Sequence, residues 1–139
     1  MTRIRYEPCP RLCNVVEKIL STGLFPHIRR EGIHCIKSQG SRSNAIARIY
    51  GLPRPWILVL GRNPGYIIEV LEEKYTRLSP EKRLEVIIHE LLHIPYTASG
   101  ALRPHGKLVN NRKVRKLVRQ LTKKKPVYNE IIRLLEEPC

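Results

Sequence analysis

Two histidines and a glutamate, His89, Glu90 and His93, stand in the order HExxH. Residues four apart on an α-helix share a face, so the two imidazoles can point at one metal ion. Zinc is the usual ion for this pattern, and the glutamate between the histidines acts as the base toward the attacking water. The pattern therefore predicts a zinc-dependent hydrolase, in the first place a peptidase that cleaves peptide bonds.

The residues around the motif predict the helix that it requires. Ser79 suits the N-cap, Pro80 suits the first helical position, and Glu81 favours the positive end of the helix dipole. Pro95 biases the chain out of the helix soon after His93. Apolar residues recur at helical spacing between these ends: Leu84, Ile87, Ile88, Leu91 and Leu92. A core helix with two hydrogen-bonded histidines is the alternative interpretation, and the helix context favours the metal site.

A catalytic zinc site takes three protein ligands and leaves the fourth position open. The chain contains no aspartate, and its remaining histidines are His27, His34 and His105. His105 is the strongest candidate because a loop rich in turn residues links it to His93, in the spacing HExxH-x11-H. A glutamate on a later helix, Glu130, is the alternative third ligand.

Three further side chains are candidates for supporting roles in the site. Arg103 and Tyr96 lie in the loop before His105, and either is a candidate transition-state stabiliser, because the developing oxyanion needs a donor besides the metal. An ordinary packing or solvent-facing position is the alternative for both. Glu85, one turn before His89, is a candidate hydrogen-bond partner for an imidazole.

The segments ARIYGLPRPW, HELLHIP and SGALRPHG resemble the phage-type metallopeptidase family, which comprises small zincin-like HExxH proteins of archaea, bacteria and phages. The resemblance covers roughly residues 33–111. It implies that His89, His93 and His105 are the metal ligands and that Glu90 is the base. It also implies a sheet beside the active-site helix, whose edge strand pairs with an extended peptide substrate.

The net charge of +14 and a pI of about 10.1 predict attraction to nucleic acid or other polyanions. Basic residues are concentrated in one predicted helix and the segment after it. The candidate nucleic-acid contacts are Arg112, Lys113, Arg115, Lys116, Arg119, Lys123, Lys124 and Lys125. A solvated helix face is the alternative interpretation of this run.

Two other function classes therefore stay open beside a peptidase. One is a nucleic-acid-binding protein with a structural or degenerate zinc site, or a protease that acts on nucleic-acid-bound proteins. The other is a metal hydrolase that acts on a different substrate, such as an amide in a small molecule. An intact glutamate in the motif favours an enzyme, since a structural zinc site needs no base and usually closes its fourth position.

The predicted fold class is α+β, with one zincin-like domain over 1–139 and a basic helical part at 107–139. Strands are predicted at 33–37, 45–50, 56–60 and 66–71, and the last two are expected to form a hairpin around GRNPG. Helices are predicted at 11–22, at 107–125 and from 126 onward. The expected sheet has three or four mostly antiparallel strands and packs on the HExxH helix.

The length of 139 residues fits one domain. The N-terminus lacks the apolar run of a signal peptide, and no segment approaches 18 consecutive apolar residues, so we expect a cytoplasmic protein without a membrane role. Cys9, Cys13, Cys35 and Cys139 form no CxxC pair, which argues against a zinc ribbon. Free thiols in a reducing compartment and disulfides in a heat-adapted protein are both consistent with these cysteines, and their pairing stays open.

Overall fold

The computed structural model describes residues 3–139 and contains a four-stranded sheet. The strands are β1 (Arg5–Pro8), β2 (Ile33–Gln39), β3 (Ala47–Gly51) and β4 (Tyr66–Leu71), in the spatial order β1-β2-β4-β3. β2 and β4 are parallel, whereas the two outer pairs are antiparallel. The predicted α+β class with a mostly antiparallel sheet is confirmed, and β3 forms one edge of the sheet.

Within the described residues 3–139, six α-helices accompany the sheet. They are α1 (Pro10–Ser21), α2 (Arg54–Leu60), α3 (Glu72–Tyr75), α4 (Pro80–Leu92), α5 (Asn111–Thr122) and α6 (Lys125–Leu135). The core lies between one face of the sheet and the apolar stripes of α1, α4, α5 and α6. Alternate residues of β4, Tyr66, Ile68 and Val70, point into this core, as the two-residue period of a strand requires. Within residues 3–139, no helix is long and apolar enough to cross a membrane.

Helix α4 is the central element of the core, and its ends confirm the sequence prediction. The Ser79 hydroxyl accepts a hydrogen bond from the Lys82 amide at 3.3 Å, and Pro80 is the first helical residue. The side chains of Leu84, Ile87, Ile88 and Leu91 are completely buried along one stripe. Burial of this stripe fixes the rotation of the helix, and with it the direction in which the histidines point.

The predicted hairpin of 56–60 and 66–71 is wrong, because 56–60 lies in helix α2. Pro55 stands in the first turn of that helix, and Gly61 ends it in the left-handed conformation with φ of 62°. Both sides of β4 are already paired, one with β2 and the other with β3. A short apolar run is ambiguous between strand and helix, and here its flanking Pro and Gly favour the helix.

Other elements differ from the prediction mainly at their ends. Helix α5 begins at Asn111 rather than at 107, because the Asn110 side chain caps it by accepting from the Lys113 amide at 2.8 Å. The predicted helices at 11–22 and from 126 correspond to α1 and α6 within one residue at each start. Strand β1 was not predicted, since its four residues are all exposed and show no apolar alternation.

The C-terminus is held against the beginning of the chain. Cys9 and Cys139 form a disulfide, which settles one of the pairings that the sequence left open. Arg83 of α4 is 6% exposed and donates to the carbonyls of Tyr75 at 3.2 Å, Thr76 at 2.8 Å and Leu135 at 2.6 Å. The buried guanidinium thereby satisfies the ends of α3 and α6 at once.

Candidate metal centre

Helix α4 and the loop that follows it bring three histidines together. The ligand nitrogens of His89, His93 and His105 all lie within 4.8 Å of one another, and Nε2 of His89 is 3.0 Å from Nε2 of His105. His89 and His93 are one helical turn apart, as the HExxH spacing requires, and the chain after Pro95 folds back to add His105. Three imidazoles at this separation match the donor set of a catalytic zinc site.

Arg103 holds the loop on the end of α4. Its backbone amide donates to the His93 carbonyl at 2.6 Å, and its Nε and Nη2 donate to the Leu92 carbonyl at 3.2 and 2.8 Å. These bonds satisfy carbonyls that a helix C-terminus leaves without intrahelical partners. The loop therefore follows the helix end closely enough to return His105 to the helix.

The same residue orients one of the imidazoles. Nδ1 of His93 is 2.6 Å from the carbonyl oxygen of Arg103. A carbonyl can only accept, so Nδ1 carries the proton and Nε2 is left with its lone pair free for a metal ion. Ligating histidines commonly donate their second ring nitrogen to such an acceptor, and the residues present fit a metal ion in this respect too.

A second attachment joins the loop to the sheet. The Tyr66 hydroxyl accepts from the Gly100 amide at 2.8 Å and donates to the Ala101 carbonyl at 3.0 Å. Gly51, at the end of β3, lies so close to the loop that a Cβ there would be 1.8 Å from the Gly100 carbonyl oxygen. Gly51 is thus required by the close approach of two backbones.

Glu90 lies in the same cleft as His89. The cleft has a volume of about 460 Å³ and is bounded by the start of β3, α4 and α5. The Glu90 side chain is 7% exposed, and burial raises the pKa of its carboxyl to about 7. A divalent ion at the three histidines would favour the ionised form, because opposite charges attract strongly in a partly buried site.

The chain matches a known protein family over most of its length. The family model described as "Putative phage metallopeptidase" matches residues 4–125. The chain belongs to this family. Neither a curated protein nor a solved structure matches the chain significantly. The name of the phage metallopeptidase family indicates a metal ion and a peptide or protein substrate, and the matched range includes β1 and α5.

The electrostatic state of His89 agrees with a ligand role in a phage metallopeptidase. Burial, followed by the nearby His93 and His105, lowers the pKa of the His89 imidazole. The neutral imidazole is the form that binds metal, so the cluster keeps this ligand in its binding-competent state. His27 and His34 stay outside the cluster: His27 contacts the Ile94 carbonyl at 3.1 Å, and His34 is exposed on β2.

The candidate supporting residues have other contacts. The Arg103 guanidinium lies over the Tyr96 ring at 5.0 Å, and Tyr96 itself is largely exposed. Glu85 lines the cleft and forms an ion pair with Lys82 at 3.2 Å. Glu130, the alternative third ligand, is not part of the histidine cluster and instead pairs with Lys18 at 2.8 Å. Two of the residues that hold the loop, Tyr66 and Gly51, are not predicted from the sequence. Their partners, Gly100 and Ala101, lie far along the chain, and no local pattern marks such a contact.

The basic residues predicted to contact nucleic acid are displayed on α5 and the turn after it. None of the eight forms an ion pair within residues 3–139. One of them, Arg115, lines the same cleft as Glu90. Seven of the eight are exposed and Lys113 is partly buried. The surface that they form is called the α5 basic face below.

Proposed function

We propose that this protein is a zinc-dependent peptidase whose zinc ion is held by His89, His93 and His105. The observation that carries the proposal is the convergence of three imidazole nitrogens within 4.8 Å, one of them from His89, which lines the same cleft as the buried Glu90. Three neutral nitrogen donors suit zinc better than the oxygen-seeking magnesium or calcium ions.

The protein residues have separable tasks in this reaction. A zinc ion bound there supplies Lewis acidity toward the scissile carbonyl and the attacking water. Glu90 accepts the proton of that water and passes it to the leaving amine. Because its carboxyl is buried, its pKa lies closer to neutral pH than that of an exposed glutamate, which suits a group that must both take and give a proton.

The edge strand β3 is the element best placed to hold an extended peptide. Ala47 at its start lines the cleft, and within residues 3–139 only β4 pairs with β3, so the outer backbone groups of this strand are free to pair with substrate. Main-chain pairing holds a peptide whatever its amino-acid sequence. The side chains that line the cleft then set which peptide sequences are preferred.

Glu90→Gln tests the proposal, with Glu85→Gln as its matched control. Both residues are on α4 and line the same cleft, but only Glu90 is next to a proposed ligand and buried. Zinc-loaded protein would be incubated with a peptide library, and cleavage would be followed by mass spectrometry. We expect Glu90→Gln to retain zinc and lose at least about 10²-fold in rate, which is the usual contribution of a general base. Glu85→Gln should remain active.

Two results would contradict the proposal. Wild-type activity in Glu90→Gln would show that Glu90 is not the general base. Hydrolysis of small-molecule amides, without cleavage of any peptide, would show that the protein is a metal hydrolase of another class and not a peptidase.

A second function, polyanion binding, is favoured by the α5 basic face. Fourteen residues, 112–125, carry eight basic side chains and no acidic one. Their charges have no ion-pair partner in the described chain, so their field is directed to solvent. Because Arg115 reaches the cleft, a peptidase with this face would act on proteins that are bound to nucleic acid or are themselves acidic.

A further inference from the structure

The four cysteines converge at the start of α1, on elements other than α4 and the loop that carry the three clustered histidines. The Cys9 amide donates to the Cys35 carbonyl at 3.0 Å, which extends the β1–β2 pairing by one residue. Cys9 forms the disulfide with Cys139, and Cys13 follows Cys9 by one helical turn. Cys13 and Cys35 remain as free thiols. The second thiol pair therefore lies directly beside an existing disulfide.

Cys13 and Cys35 line one solvent-accessible cavity of about 490 Å³ between α1 and β2. Their exposures differ, since Cys13 is partly exposed and Cys35 is 6% exposed. The backbone brings the two residues together, because the Cys13 amide donates to the Cys9 carbonyl at 3.4 Å while the Cys9 amide donates to the Cys35 carbonyl, and both side chains line the same cavity. A small reagent that enters the cavity meets the Cys13 sulfur first.

The surroundings assign different chemical tendencies to the two thiols. The hydrogen bond from Cys35, followed by the charge of Arg30, lowers the pKa of Cys13 to about 6, although burial and Glu17 oppose this. The neighbouring Cys13 sulfur and burial raise the pKa of Cys35. The Arg30 guanidinium, which lines the cavity, is paired with Glu17 at 3.4 Å. The Cys13 sulfur is thus the nucleophile, whereas the Cys35 thiol stays protonated.

We propose that Cys13 and Cys35 form a redox-active dithiol that reacts with small disulfides and closes into a second intramolecular disulfide. The Cys13 thiolate attacks one sulfur of a disulfide R–S–S–R, forms a mixed disulfide and releases one R–S⁻. The Cys35 thiol then loses its proton and attacks the Cys13 sulfur, which releases the second R–S⁻. Both cysteine protons end on the two R–SH products, and the small disulfide accepts the two electrons.

The new bond would connect α1 to β2 in addition to the existing connection between Cys9 and the C-terminus. Helix α1 belongs to the same core cluster as α6 and β2, so both disulfides would stabilise the same packed region. The dithiol uses none of the residues of the proposed zinc site, and its test is independent of hydrolase activity.

The experiment uses full-length protein and oxidised glutathione, with alkylation and tryptic peptide mapping as the readout. Trypsin places the four cysteines in separate peptides, 6–11, 12–18, 31–37 and 134–139, so each linkage gives its own mass. We expect peptides 12–18 and 31–37 to become linked while 6–11 and 134–139 stay linked. Cys35→Ser should accumulate glutathione on Cys13. Cys13→Ser should react at least about tenfold more slowly, because its remaining thiol is buried and holds its proton.

Several results would overturn the proposal. These are free thiols at both positions after treatment, a Cys13→Ser variant that reacts at the wild-type rate, and linkage of Cys13 to Cys9 or Cys139 in place of Cys35. Thermal unfolding of each serine variant, together with Cys13→Ala as a second replacement, shows whether slow reaction reflects chemistry or loss of the fold.

Discussion

The chemistry of the site depends on a few side chains whose states are set by their immediate neighbours. Glu90 is held in a buried position by its place on α4, and His93 is oriented by the Arg103 carbonyl. The HExxH residues could be predicted from sequence, because four-residue spacing on a helix is a local property. The contacts of Arg103 could not, since they exist only once the loop has folded onto the helix end.

The contacts of Arg103 bear on its predicted role as a transition-state stabiliser, for which an ordinary packing or solvent-facing position is the alternative. Its Nε and Nη2 are engaged by the Leu92 carbonyl, so its contacts favour a positioning role over the predicted role as a transition-state stabiliser. Arg103→Met keeps the aliphatic stem and removes these bonds. We expect zinc affinity about tenfold weaker, within the range found when a residue that supports a ligand is lost.

The measurement is a competition titration with a zinc chelator, and Arg77→Met is the control, because Arg77 is exposed and its side chain makes no hydrogen bond within residues 3–139. Unchanged zinc affinity combined with a large loss in kcat would instead assign Arg103 to the transition state.

At the scale of the elements, the site depends on how the loop from Pro95 to Gly106 is fastened. One end is held by Arg103 on α4 and the middle by Tyr66 and Gly51 of the sheet. The helix itself was predicted with its cap and its first residue, because those signals are local. The sequence predicts the sheet less well, since the apolar run at 56–60 fits a strand as well as a helix, and only the fold shows that both sides of β4 are taken by β2 and β3.

Gly51→Ala tests whether the approach of β3 to the loop positions His105. A Cβ at Gly51 would overlap the Gly100 carbonyl, so the loop must move or the variant must lose stability. We expect a loss of about 1–3 kcal/mol in the free energy of unfolding, together with weaker zinc binding. Chemical denaturation and zinc titration measure the two effects.

Gly65→Ala is the matched control, because a Cβ there would be 3.6 Å from the nearest atom, which is an ordinary contact. Equal effects of the two substitutions would mean that the close approach of β3 has no particular role in the site.

The α5 basic face makes a separate prediction about salt dependence. Replacement of Arg112, Lys116, Arg119 and Lys123 by glutamine should weaken binding to duplex DNA and reduce the slope of log K against log salt by about 3–4. Fluorescence anisotropy at several salt concentrations measures this slope. The control replaces four exposed arginines outside the face, Arg3, Arg5, Arg29 and Arg42, and so removes the same charge. An equal reduction in both variants would show that net charge alone attracts DNA.

At the scale of the whole molecule, the two ends of the chain are joined. The Cys9–Cys139 disulfide spans 130 residues, and Arg83 fastens the end of α6 to α3. The α+β class could be predicted from the periodicities of the separate segments. The disulfide could not, because cysteine pairing at this separation is decided by the final fold and leaves no local signal.

Removal of this disulfide should lower global stability. The chain-entropy model gives the largest effect for the longest closed loops, and we expect Cys139→Ser to cost about 2–4 kcal/mol in the free energy of unfolding. Denaturation of wild type and variant, each with and without reductant, measures this cost. Reductant should destabilise the wild type and leave Cys139→Ser nearly unchanged. Equal stability of wild type and variant without reductant would contradict the prediction.

The central claim is that three histidines from α4 and its following loop bind one zinc ion. Elemental analysis of zinc-reconstituted protein tests it most directly, with His105→Ala as the variant and His34→Ala, an exposed histidine outside the cluster, as the control. We predict about one zinc per chain in wild type and in His34→Ala, and sharply weakened binding in His105→Ala. Wild type that takes up no zinc, or His105→Ala that binds it as tightly as wild type, would contradict the three-histidine site.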